Sequence, residues 1–316
     1  MIEFNYLYRG LCGLANAHRA SALAGHLGAA VVAGYFFGED QAELDEQVDR
    51  GVERELDRVM RGEEGIWFNS KKAGITSQQL FEALPQEQPV PESVSTIADA
   101  LAANIGRTRE SGHNVIFAAI ALRALHDHPE YATPTIVSGV RKLIEGFNAS
   151  PPGRGYFGKE KGWLQGYQVT FPVERFPPYK SEQEMANVVI DELIATASVR
   201  KQGFGGLWHI INHTAALIEL SRFGYRELAA QGWPAHRDHV RMWRSLPDVE
   251  AELGPPTKSD LDPRTREYWT TGTLKRDEAR LTHRIKTLYG YFVLERSIED
   301  EPRRTAAADA FLYLMA

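Results

Sequence analysis

A chain of 316 residues with 43% hydrophobic and 25% charged side chains has enough material for a large buried core. Its formal net charge of −6 gives no electrostatic footing for nucleic acid. No apolar run approaches the roughly 20 unbroken residues that a membrane helix needs, and the single cysteine, Cys12, excludes internal disulfides and thiolate zinc sites. The opening MIEFNYLYRGLCG lacks a basic flank before an apolar run, so it does not read as a secretory signal. The expectation is a cytoplasmic protein whose metal, if any, is held by histidine or carboxylate.

In chain order, Asn5–Phe37 reads as a long buried helix with a break near Gly25 or Gly28. Gln41–Arg61 follows as an amphipathic helix, with Leu44, Val48, Val52, Leu56, Val59 and Met60 at helical spacing. A short helix Ser77–Leu84 is expected with Ser77 as its N-cap, and another over Ser93–Ile105 after Pro91. Gly112–His126 is nearly all apolar, and Thr133–Phe147 is its amphipathic successor, with Thr133 as cap and Pro134 at the first helical position. The stretch 148–180 is rich in glycine, proline and aromatics without helical period. It is expected to be either a lid or pocket wall, or a packed surface excursion. Val169–Val173 is the one weak strand candidate. Helices then follow over Glu182–Arg200, Gly203–Gly224, Tyr225–Leu246, Leu274–Ser297 and Arg303–Ala316, with a loop over Pro247–Tyr268. Buried helix followed by amphipathic helix recurs about four times without a strict period. The inferred architecture is a single all-α domain over residues 1–316, with inner and outer helices in an α/α toroid-like bundle.

The stretch GFGGLWHIINHTAALIELSRFG is apolar on nearly every side yet carries His209 and His213, which share one helical face. An i,i+4 histidine pair is a common bidentate contribution to a metal, while the plainer alternative is two hydrogen-bonded core histidines. His18 and His26 fall on the first buried helix, His113 at the start of the second, and His283 on the last. Each predicted inner helix thus carries histidine, although buried positions disfavour polar groups. A shared metal would satisfy converging imidazoles together, and imidazole suits iron, copper, nickel and zinc. His126, His128, His236 and His239 lie in polar or helix-end contexts and are expected to be exposed. Lys286, three residues after His283, shares its face. A buried lysine there would have a depressed pKa and could take up carbon dioxide as a carbamate. The reading favoured by sequence is a packed stem with the ammonium reaching water.

The segment LTHRIKTLYGYFVLE resembles the histidine–x–x–lysine helix near the C-terminus of the questin oxidase-like proteins. The family's Asn-His-Leu segment before an apolar helix is matched by Gly25-His26-Leu27 before GAAVVAGYF, with glycine in place of asparagine. Its aromatic–histidine segment is matched by Trp208-His209-Ile210-Ile211, and a further histidine-bearing helix by His113 in SGHNVIFAAIALRAL. The resemblance covers four short segments; this chain is shorter than typical members, and His213 is extra to the pattern. It implies an oxygenase acting with dioxygen on an aromatic or quinone-like small molecule. The implied cofactor is a non-haem iron (zinc as alternative) held by His26, His113, His209, His283 and a carboxylated Lys286. His213 would replace a ligand or stand behind one, and Trp208, Tyr289, Tyr156 and Trp163 would wall the substrate cavity. A metal-dependent hydrolase or lyase and a non-catalytic helical scaffold are the competing readings. The sequence sets no oligomeric state.

Overall fold

The computed structural model describes residues 1–171, 176–272, 274 and 279–316. The fold is all-α. In chain order the helices are α1 (Asn5–Ala17), α2 (Gly25–Asp40), α3 (Glu46–Met60), the short α4 (Ser70–Ala73) and α5 (Ser77–Leu80), α6 (Ser95–Ala102), α7 (His113–Asp127) and α8 (Pro134–Glu145). They continue as α9 (Glu182–Thr196), α10 (Gly206–Arg222), α11 (Arg226–Ser245), the short α12 (Glu250–Leu253) and α13 (Arg266–Thr270), α14 (Arg280–Glu295) and α15 (Glu301–Phe311). Strands β1 (Arg154–Tyr156) and β2 (Trp163–Gln165) form one antiparallel hairpin, with Gly155 opposite Leu164. Among the described residues no helix is long and apolar enough to cross a membrane.

The chain forms two compact units. The first comprises Met1–Ala103, Phe117–Asn148 and Leu261–Tyr289; the second comprises Asn104–Ile116, Ala149–Asp260 and Gly290–Ala316. Helices α7 and α14 each begin in one unit and end in the other.

In the first unit the expected long helix is two helices. The chain leaves α1 at His18, and the Ser21 side chain accepts from the Ala24 amide to start a 3-10 turn that leads into α2. Small residues let α1 and α2 cross closely: a Cβ on Gly28 would lie 2.3 Å from the Leu14 nitrogen. Helix α2 is buried from Gly25 to Gly38, whereas α3 buries Val48, Val52, Leu56 and Val59. Each such aliphatic side chain contributes roughly 1.5–3 kcal/mol on burial. Asp45 caps α3 through the Gln47 amide. Two expected caps are corrected. Helix α5 is capped by Thr76 in a capping box with Gln79 rather than by Ser77. Thr133 makes no cap bond; Glu87 accepts from the Thr135 amide at 2.8 Å and closes the start of α8 instead.

In the second unit α10 is entered through Gly203, Phe204, Gly205 and Gly206, all at positive φ. Gly203 has a physical reason for being glycine, since a Cβ there would sit 2.3 Å from the Gly155 Cα. This close approach lets the hairpin pair with the α10 entrance, Tyr156 N–H to Gln202 O at 2.8 Å and Phe204 N–H to Arg154 O at 2.7 Å. The hairpin within the irregular stretch is therefore packed against the entrance to α10. Of the strand candidate, Val169–Phe171 form no strand and 172–173 lie outside the described residues. The expected loop over Pro247–Tyr268 contains α12 and the start of α13.

Candidate functional site

In the first unit, α2 supplies His26 near its start and α14 supplies His283 and Lys286. All three are buried. Glu64 organises their surroundings. It accepts from the Leu281 amide at 2.9 Å and from Trp67 Nε1 at 3.0 Å, so one carboxylate caps α14 and holds the indole. The Trp67 indole stacks on the His26 imidazole, ring centroids 3.6 Å apart and 11° from parallel. Phe117 meets the same imidazole edge-on at 5.4 Å, and the His26 and His283 rings are 4.9 Å apart.

The tautomers follow from the partners. His283 Nδ1 lies 2.8 Å from the Ala279 carbonyl, to which it donates, so Nε2 carries the lone pair. His26 Nδ1 is in contact with Lys286 Nζ. Lys286 is 3% exposed, which corrects the expectation that its head reaches water. Burial pulls its pKa down to about 7, against an opposing pull from Glu64. When the amine is neutral its lone pair can accept from His26 Nδ1–H, which leaves the lone pair of the imidazole on Nε2.

The depressed lysine makes a stability prediction. The unfolded amine is protonated below about pH 10.4, whereas the folded one is neutral above about 7. The unfolded chain therefore binds the extra proton across that window, and stability contributed by this group rises with pH through it. Lys286→Met is expected to be more stable than the parent at pH 7, with the advantage shrinking towards pH 10. Denaturant unfolding at pH 7, 8.5 and 10 checks this; a constant difference would contradict it.

The second unit holds further buried histidines. His209 on α10 donates from Nδ1 to the Ser111 carbonyl at 3.1 Å, again leaving Nε2 as the lone-pair nitrogen. His113 meets His209 edge-on at 4.5 Å. His213, one turn along α10, is buried but faces different partners. Its Nδ1 lies 3.3 Å from Nδ1 of His239, whose Nε2–H donates to the Phe204 carbonyl at 2.8 Å. His239 Nδ1 is thus an acceptor and His213 Nδ1 its donor. His236 donates from Nε2 to Thr214 Oγ1 at 2.8 Å, and the Tyr179 hydroxyl donates to its Nδ1 at 3.1 Å. His236 and His239 are fully buried, which corrects the expectation that they are exposed. Their spacing along α11 carried the signal: both lie on the buried stripe Leu228, Gly232, Ala235, Val240 and Trp243. Their polar sequence neighbours, Arg237 and Asp238, obscured it. His18, expected on a buried face, is exposed at the end of α1.

Burial holds His213 well below the usual imidazole range, His236 down to about 3 and His239 to about 4. These groups stay neutral in the folded chain while the unfolded ones protonate below about pH 6.5. Their contribution to stability is complete above 6.5 and is lost as pH falls towards 4. Unfolding free energy is expected to fall steeply between pH 6.5 and 4, less so in His239→Gln; equal slopes for parent and variant would count against this origin.

The expected substrate-contacting residues are drawn from both units. Tyr289, in the first unit, is buried with its hydroxyl 3.0 Å from Arg123 Nη1. In the second unit, Trp208 donates from Nε1 to the Leu314 carbonyl at 3.1 Å. Tyr156 donates to Glu252 at 2.8 Å, and Trp163, 45% exposed, lies 5.6 Å from the Tyr156 ring. No protein-family model matches the chain, and no curated protein or solved structure matches it.

Proposed function

We propose that the chain is a metal-dependent oxygenase acting on an aromatic or quinone-like small molecule in the cytoplasm. In the first unit, His26 and His283 would supply imidazole ligands and Lys286 an anionic one. The observation that carries the reading is a buried amine, drawn towards neutrality, in contact with one imidazole and one helical turn from another whose Nδ1 is tied to a backbone carbonyl. Ligating histidines commonly have the second nitrogen fixed in this way. Neutral Lys286 can add carbon dioxide, forming an N–C bond and releasing a proton, to give a carbamate oxygen donor. The donor set of imidazole nitrogen and carboxylate-like oxygen suits iron, with zinc as the alternative. Iron would supply dioxygen activation. The residues around it would do three things. Trp67 and Phe117 exclude water from the imidazoles, Glu64 sets the position of α14 and of Trp67, and the Ala279 carbonyl fixes the His283 tautomer. In the second unit, His209 has the same Nδ1-to-carbonyl arrangement, whereas His213 is engaged with His239 and fits a supporting role.

Elemental analysis of protein purified anaerobically, without a histidine tag or chelator, tests the proposal. Near-stoichiometric iron is expected in the parent and at least about tenfold less in His283→Ala and in His26→Ala. Oxygen consumption with aromatic substrates should fall in parallel. Unchanged metal content in both variants overturns the ligand assignment, and zinc in place of iron overturns the oxygenase reading.

A further inference from the structure

A separate cleft of about 510 Å³ opens in the first unit between the end of α1 and the start of α8. Its volume lies in the range of small-molecule sites, roughly 300–1,000 Å³. His18, Arg19 and Lys142 line it together with Asn16, Thr135 and Ser138, and no carboxylate does. In a chain of net charge −6 this is a local reversal of sign. Among the described residues neither Arg19 nor Lys142 has a carboxylate partner, and Arg19 donates only to Asn16 Oδ1 at 3.1 Å. Glu87 bonds the lining residue Thr135 and is occupied by its amide and hydroxyl.

His18 is oriented rather than loose. Its Nδ1 lies 2.8 Å from the Ala15 carbonyl, which leaves Nε2 for a ligand. The floor is closely packed: Gly139 of α8 approaches the Ala15 backbone so nearly that a Cβ would sit 2.3 Å from the Ala15 oxygen. We propose that this cleft binds a small phosphorylated metabolite, its phosphate held by Arg19, Lys142 and His18 and its hydroxyl-bearing body by Asn16, Thr135 and Ser138. Two fixed cations and an imidazole match a dianion better than a monocarboxylate, and an arginine fork suits phosphate oxygens. The volume leaves room for a sugar-sized body beyond the phosphate.

His18 reports on occupancy. Burial first, then Lys142 and Arg19, lower its pKa. A bound phosphate would offset those two cations and raise it. The charged groups acting on it are Arg19 on its own segment and Lys142 on α8. The experiment is an NMR titration of the His18 imidazole in the full chain with inorganic phosphate, a hexose monophosphate and the corresponding hexose. Saturable binding of both phosphates is expected, tighter for the hexose monophosphate, with no response to the hexose. The R19Q/K142Q double variant, altered only at exposed positions, should bind at least about tenfold more weakly. Absence of a His18 response to either phosphate, or equal affinity in the double variant, overturns the proposal. Binding only to vesicles containing phosphatidic acid would replace the metabolite with a lipid surface and overturn it too.

Discussion

Glu55→Ala is expected to destabilise the chain by about 3–5 kcal/mol, the largest effect of any single change considered. Glu55 lies on α3 and accepts from Arg284 Nη1 at 3.0 Å, with both side chains all but fully buried. Removing the carboxylate leaves a guanidinium charge in the interior, where it cannot lose its proton and cannot reach water. Glu55→Gln retains an acceptor and should cost less, and replacing both partners with apolar residues of similar volume should recover much of the loss. The effect reaches the candidate site because Arg284 sits between His283 and Lys286 on α14. Weakened anchoring of this helix should therefore lower metal retention as well as the denaturant midpoint. A midpoint within about 0.5 kcal/mol of the parent would show that the pair contributes no more than an ordinary surface contact.

Gly28→Ala is expected to cost about 1–3 kcal/mol or more, although the change adds one methyl to a helix. The added Cβ would meet the Leu14 nitrogen at 2.3 Å, the Gly13 carbonyl carbon at 2.7 Å and the Gly10 oxygen at 2.8 Å. All three are backbone atoms of α1, so no rotamer change relieves the clash and the two helices must separate. Helix α2 carries His26, so separation also shifts that imidazole against Trp67 and Lys286. Gly34→Ala meets the far end of the Leu56 side chain instead and should be milder. Gly106→Ala meets nothing within 4 Å and serves as the neutral control. A loss in Gly28→Ala no larger than in Gly106→Ala would mean that the close crossing is not limiting. Chemical unfolding of the three variants side by side provides the measurement.

The sequence by itself determined the helical class and most of the helices, because apolar spacing is a local property that each segment carries alone. Val48, Val52, Leu56 and Val59 announce the buried face of α3 without reference to any other element. It also pointed to the burial of His26, His113, His209, His213 and His283, since each falls on a helix whose pattern reads as an inner one. Tertiary structure decided what those runs meet. The break between α1 and α2 depends on a close crossing of glycines, which a single-helix pattern does not encode. Glu55 reads as part of the charged face of α3, yet packing places it in the interior against Arg284, some 230 residues away in sequence. His236 and His239 look solvent-facing beside Arg237 and Asp238, and only packing of α10 against α11 shows them engaged with Thr214 and His213. The state of Lys286 is the clearest case. Its residue type and helical position are written in the sequence, but its pKa depends on the water excluded from around Nζ, and that exclusion is a property of the assembled core.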